Sequence, residues 1–425
     1  MTKRCVSHFL LAIFLVATGS SHVWTQKFEC FVLQGPQKNL TGVKKIALMD
    51  FIGKNGSGVK LADYLTSEML VENRGIRDIA GFFSTKEGKT FIKGVKTNIF
   101  TVVERSKIQQ LLKEQNFSMT DAVDANQAAQ VGKLLGVDAI ITGSVDYSFT
   151  DTPEEFKSKK KNGSVKINYK LTRSVAVSAK MKIISVATGE ILGNSDKEYK
   201  NSDAKMDEER SGIKSVEALV DECLKPMAGE LVTYFSPQFI LNKYKLQKIK
   251  VKEFKKQAEE AGDFFEKGDL NRAYPVYKAV ADADPYNASA LYNLGLIYDM
   301  VGDFEQSYAC LKNAYELEPK EEDYQKAFQR TEKNLEFSKV LTSMGIVPEK
   351  YDFKIDETAL AAKVMIKGDK SDRIEVFSEP KAGSSVVAKI PGDSEFVVLE
   401  KNGGWVKLKL LGGKEGWVQK DKVKE

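Results

Sequence analysis

IFTVVERSKIQQLLKEQN at 99–116, VGKLLGVDAIITGSVDYSF at 131–149 and VAVSAKMKIISVATGEILG at 175–193 decide the fold. In the first, the apolar run 99–103 reads as a buried strand stopped by Glu104-Arg105. Ile108, Leu111 and Leu112 then fall on one side of a helix. The second reverses the order, with a helix over 124–135, a stop at Gly136, and the apolar run 137–141 ending at Gly143. The third is a long strand whose Thr188-Gly189-Glu190 turn feeds another strand. Strands alternating with helices in this way predict a compact α/β unit.

Upstream, residues 45–51 (KIALMDF) are apolar at nearly every position, the mark of a central strand covered on both faces. A turn at 53–58 follows, then a helix with Leu61, Tyr64, Leu65, Met69 and Leu70 along one stripe. Gly53, Gly56 and Gly58 fit neither dinucleotide nor P-loop spacing. Gly88-Lys89-Thr90 has a P-loop ending, but Phe83 stands five residues before it, so both stretches read as loops. Residues 74–98, with Phe82, Phe83 and Phe91, form an insertion that is either an ordered excursion or a contact loop. Downstream, a helix over 213–234 carries Val216, Leu219, Val220, Cys223 and Leu224 inward, with Pro226 as a kink or break.

The Val102–Arg105 turn with its Leu111-Leu112-Lys113-Glu114 helix, the GKLLGVDAIITGSV strand and the SVATGEIL hairpin resemble the CsgG family over residues 42–236. The resemblance implies a ring-forming periplasmic core; in channels of this family, two hairpins per subunit cross the outer membrane. A membrane strand needs about 9–11 alternating residues with no open edge in lipid. Val165, Ile167, Tyr169, Leu171, Val175, Val177, Met181 and Ile183 do alternate. The opposite arm does not, with Asp151, Pro153 and Glu155 on its apolar face and KSKKK at 157–161. At the second hairpin stands NSDKEYKNSDAKMDEERSG, 194–212. Basic side chains in lipid cost about 2–4 kcal/mol each near the midplane, so the residues predict against a pore.

A chain of 425 residues implies several domains. A net charge of +5 against 64 basic and 59 acidic residues, spread rather than striped, excludes a nucleic-acid partner. The only histidines are His8 and His22, so His-based triads and zinc sites have no material. Residues 1–21 read as an export signal: Lys3 and Arg4, an apolar run at 9–16 too short to span a bilayer, then small residues. A lipid-bearing cysteine follows small residues, whereas Cys30 follows Lys27-Phe28-Glu29 and Cys5 precedes the apolar run. Cys30, Cys223 and Cys310 read as buried or free thiols, with one disulfide open. Residues 237–253, overlapping the basic run KYKLQKIKVKEFKK at 243–256, read as a helical connector in solvent, with a contact to a membrane surface or an anionic polymer as the alternative.

KGDLNRAYPVYKAVADADP (267–285) and VGDFEQSYACLKNAYELEP (301–319) repeat at a period of 34 residues. This resembles tetratricopeptide repeats, over 254–340 with a capping helix at 321–340. By that family's geometry Ala258, Gly262, Phe265, Ser289, Tyr292, Leu296 and Asp299 would line a concave surface, which either holds a short peptide or docks on a neighbouring domain. After a polar link at 345–360, residues 361–425 turn to β patterning and resemble a bacterial SH3-like barrel, with Pro380, GWVKLKL and GKEGWV. Such domains bind cell-wall peptide or protein segments. Trp405 and Trp417 read as core or groove wall.

No catalytic constellation stands out. Ser57-x-x-Lys60 lacks companion motifs, and Glu104-Arg105 reads as a salt bridge at a strand end. The whole predicts a multidomain protein: an α/β CsgG-like domain, an all-α repeat module and a small all-β SH3-like barrel. The expected function is a non-enzymatic, exported envelope scaffold of a Gram-negative-type bacterium, without cofactor or metal. It would be periplasmic or peripherally associated with the outer membrane, homo-oligomeric, and bound to protein partners or peptidoglycan. Phe265, Tyr292, Leu296, Asp299, Trp405 and Trp417 are the candidate partner-binding residues. The alternative is an outer-membrane curli-type secretion-channel subunit.

Overall fold

The computed structural model describes residues 26–80, 85–114, 124–159, 161, 163–206, 211–354, 362–411 and 414–424. The export signal, Phe82 and Phe83 lie outside them. The elements of the first region are β1 (Lys27–Gln34), β2 (Lys45–Leu48), β3 (Ile52–Gly53), α1 (Ser57–Leu70), β4 (Ile79–Ala80), β5 (Thr85–Lys86), β6 (Thr101–Val102), α2 (Arg105–Glu114), α3 (Ala125–Leu135), β7 (Ala139–Lys159), β8 (Val165–Ser185), β9 (Ile191–Met206), α4 (Val216–Thr233) and β10 (Gln238–Lys245). Five helices follow: α5 (Lys255–Glu266), α6 (Leu270–Ala283), α7 (Ala288–Val301), α8 (Phe304–Leu317) and α9 (Glu322–Ser343). The last region holds β11 (Lys363–Ile366), β12 (Arg373–Phe377), β13 (Val386–Pro391), β14 (Glu395–Asn402), β15 (Trp405–Lys409), β16 (Glu415–Gln419) and β17 (Val423–Lys424).

The first sheet runs β6-β2-β7-β8-β9, with β3 beside β7; β2 is parallel to β6 and β7, and the long strands are antiparallel. Side chains alternate between its two faces. Ile46, Leu48, Ile141, Met181 and Ile183 meet α1 and α4, while Ala47, Met49, Ile140 and Ile184 meet α2 and α3. Both faces are covered, which is why residues 45–51 are apolar throughout. α3 ends at Gly136 as the sequence predicts, at φ 61°, and begins one residue after Asp124, which caps it by accepting from the Asn126 and Gln127 N–H groups. α4 runs through Pro226 without a break.

Several expectations are corrected. The stretch before Gly42, for which the sequence suggests only a polar lead-in, contains β1, whose Cys30, Phe31, Val32 and Leu33 are buried. The expected helical connector is instead β10, paired with β1 from Lys27↔Lys245 to Gln34↔Gln238. Its Lys-Tyr-Lys-Leu alternation has the period of a strand, and Tyr244 and Leu246 point inward while Lys243 is exposed. Through Pro153, β7 and β8 pair continuously from Ala139↔Ser185 to Lys159↔Val165. Beyond Val145 the only partner of β7 among the described residues is β8, and on such an edge a proline is tolerated. The charged stretch after the TGE turn is β9, whose half-buried face lies on α4. There Lys197 pairs with Glu230 at 2.9 Å and Asn201 donates to Glu222 at 2.9 Å.

The insertion 74–98 is a contact loop: Ile92 and Val95 belong to the core of the repeat module, and the Phe31 N–H donates to the Lys89 carbonyl at 2.7 Å. Arg74 anchors its start, donating to the Pro237 carbonyl at 2.8 Å and the Ser236 hydroxyl at 3.1 Å. Burial pushes its guanidinium down to about 10. The stretch 345–354 is not a plain polar link, since Phe353 stacks on Tyr274 at 3.8 Å. The C-terminal strands pair in the order β13-β12-β16-β15-β14-β11-β17, an open path rather than the expected closed barrel. β17 has only two residues, and β13 ends at Pro391, which has no N–H to donate.

Candidate interaction surfaces

The concave face of the repeats is already filled by the chain itself. α7 is buried all round except at Ser289, the pattern of a helix packed on every side. Against it lies the β1–β10 ribbon and the segment that follows. Of the predicted surface residues, Phe265, Leu296 and Asp299 are at most 2 % exposed and Tyr292 is 5 % exposed. Phe28 of β1 meets Phe265 edge-on at 6.1 Å, and Tyr292 stacks on Tyr324 of α9 at 4.5 Å. Asp299 accepts from the Tyr244 hydroxyl at 2.6 Å and from Arg330 Nε at 3.0 Å. Asn293, fully buried, accepts from the Gln247 N–H at 2.7 Å and donates to its carbonyl at 2.8 Å. These residues therefore form a docking site for a neighbouring part of the same chain. Tyr244, Asn293 and Arg330, which complete it, were not singled out from sequence; no local signal placed the strand beside the helices.

Burial, with Asp299 adding to it, raises the Tyr244 phenol well above the usual tyrosine range. The same burial pushes the Cys30 thiol up, again with help from Asp299. Cys30, Cys223 and Cys310 are free thiols.

In the last region Trp417 is buried, whereas Trp405 is half-buried and meets Phe377 edge-on at 5.6 Å. The two tryptophans thus part: Trp417 belongs to the interior, and Trp405 with Phe377 forms an accessible aromatic pair. The expected Glu104–Arg105 bridge is replaced by ion pairs from Arg105 to Asp50 and Asp63, which tie α2 to the end of β2 and to α1. Ser57 and Lys60 do not meet as a nucleophile pair: Ser57 is buried, and Lys60 reaches Asp221 at 3.2 Å.

The long ribbon of β7, β8 and β9 extends past the helices. Its far end exposes Phe156, Val165, Ile167 and Tyr169. No helix among the described residues is long and apolar enough to cross a membrane.

Comparison with known proteins gives the same order of modules. The family model described as curli production assembly/transport component CsgG matches residues 93–222, the tetratricopeptide repeat model 264–330, and the bacterial SH3 domain model 372–424. No curated protein matches the chain. Among solved structures it is similar to lipoprotein GNA1162 from Neisseria meningitidis, at 9 % identity, 44 % of this chain, 97 % of the other and a TM-score of 0.26. It is also similar to the LpoB C-terminal domain from Salmonella enterica, at 13 % identity, 37 % of this chain, 83 % of the other and a TM-score of 0.20. A PelC dodecamer from Paraburkholderia phytofirmans follows, at 9 % identity, 48 % of this chain, 97 % of the other and a TM-score of 0.19. TM-scores this low carry no function across. The chain thus joins, in order, a segment matched by the CsgG family model, one matched by tetratricopeptide repeats and one matched by the bacterial SH3 domain.

Proposed function

We propose that this protein is a non-enzymatic scaffold of the cell envelope of a Gram-negative-type bacterium, exported to the periplasm or the inner face of the outer membrane. Its CsgG-like core self-associates or docks, and its C-terminal module holds a protein or cell-wall partner. The observation that carries this reading is the use of the repeats. Their concave face is sealed by β1 and β10, so they brace the first domain and leave other surfaces for partners. Two such surfaces are available: the open outer edges of β7 and β9, and the Trp405–Phe377 pair. An open strand edge is a template for pairing with another chain. Light scattering on the mature protein in detergent-free buffer should find a discrete oligomer, and osmotic shock should release it from cells. A monomer that pulls down nothing from the envelope would defeat the reading.

A second reading, a secretion-channel subunit, is favoured by one observation. β7 and β8 are 21 residues each and pair without interruption, longer than a membrane strand requires. On the row of Val165, Ile167, Tyr169 and Leu171, however, the partners across the ladder are Lys159, Lys157, Glu155 and Pro153. Conductance from planar bilayers containing only this protein would decide for the channel.

A further inference from the structure

The basic run at 243–256 holds seven lysines against one glutamate, and the brace between the domains accounts for only part of it. Lys243 pairs with Glu29 at 2.9 Å, Lys245 with Asp323 at 3.7 Å and Lys256 with Glu395 at 2.8 Å. Among the described residues, Lys248, Lys250, Lys252 and Lys255 have no carboxylate partner. Three of these four, Lys248, Lys250 and Lys255, line a single cavity of about 440 Å³.

The cavity is held in shape from below. Asn293 grips both backbone groups of Gln247, which fixes the chain just before Lys248. Ile249 and Ala258 are buried and give an apolar floor between the lysines. Gln26 closes one wall, donating to the Glu259 carbonyl at 3.1 Å. α5 begins at Lys255 without a side-chain cap, so the positive end of its dipole adds to the same field. Glu259 is the one acidic residue in the lining. Lysines lining a concave, partly apolar space favour an anion there.

We propose that this cavity binds a compact polyanion, a molecule with two or more phosphate or carboxylate groups on a body small enough to sit over Ile249 and Ala258. Several anionic groups are called for because three lysines line the one cavity, and one monovalent ion leaves two unanswered. A flat membrane surface does not enter a concave site of this size.

Calorimetric titration of the full chain at low ionic strength, with inorganic tripolyphosphate and separately with citrate, distinguishes a phosphate from a carboxylate ligand. Saturable binding of at least one is expected. It should weaken about a hundredfold in the double variant Lys248→Ser/Lys250→Ser, since each of the two charge-assisted contacts is worth roughly a decade in affinity. Lys252→Ser removes the same charge from the same segment, but Lys252 is not in the lining. That variant should bind almost as the unaltered protein does. All three side chains are exposed, so unchanged thermal unfolding is expected of both variants. No saturable binding of either anion, or an equal loss in the Lys252→Ser protein, would overturn the proposal.

Discussion

Tyr244 donates to Asp299 at 2.6 Å in a place where neither side chain reaches water, and Arg330 completes the group from α9. A buried carboxylate deprived of one donor carries part of its desolvation cost uncompensated. Tyr244→Phe should therefore lower the unfolding free energy by about 1–3 kcal/mol in urea titration. The same contact sets an alkaline limit. Burial, then Asp299, raises the Tyr244 phenol above its unfolded value, and burial likewise raises Tyr277, Tyr292 and Tyr298. A raised folded-state value means that the stabilisation is complete below the unfolded pKa, near about 10, and is lost as pH rises above it. The unfolding midpoint should fall with pH in that range, and less steeply in Tyr244→Phe. Gly295, in the second repeat, makes a third residue-scale case. A Cβ there would lie 2.7 Å from Leu311 Cγ and 3.1 Å from Cys310 Cβ, where α7 and α8 touch. Gly295→Leu should cost about 1–3 kcal/mol or more by overpacking; unchanged thermal unfolding would contradict this contact.

Among the elements, the β1–β10 ribbon was the hardest to read. Each strand is eight residues long, and their partners lie more than 200 residues apart in sequence, as at Glu29 and Lys243. Lysine density at 243–256 suggested a solvated helix, although Lys-Tyr-Lys-Leu already had the strand period. The decisive fact, an edge for it to pair with, is not local. Burying a charge in this ribbon tests its role: Val32→Asp should destabilise by about 3 kcal/mol, and hydrogen exchange should lose protection in β10 and α7 together. Loss in β1 alone would mean that the ribbon does not brace the repeats. By contrast α2, α3 and their strands were legible, because the Gly136 stop and the Ile108 stripe are local signals.

At the scale of the whole molecule, the C-terminal sheet has an apolar core of its own, formed by residues between Val364 and Val423. Charge joins it to the repeats: Lys256 to Glu395 at 2.8 Å, Lys363 to Glu260 at 2.8 Å and Lys363 to Glu395 at 3.6 Å. Hydrogen bonding first holds Glu395 below the usual carboxylate range and Lys363 above the usual lysine range. Near 1 M salt, where screening acts within about 3 Å, small-angle scattering should show a larger radius of gyration. Glu395→Lys should give the same expansion at low salt. No change in either would mean that another contact holds the domain. The sequence by itself determined the kinds of module and their order, because hydrophobic period, caps and a 34-residue repeat are written within a few turns of chain. Only the tertiary structure decided what the repeats hold and which lysines remain unpaired. Those outcomes depend on backbone edges and carboxylates brought together from distant parts of the chain.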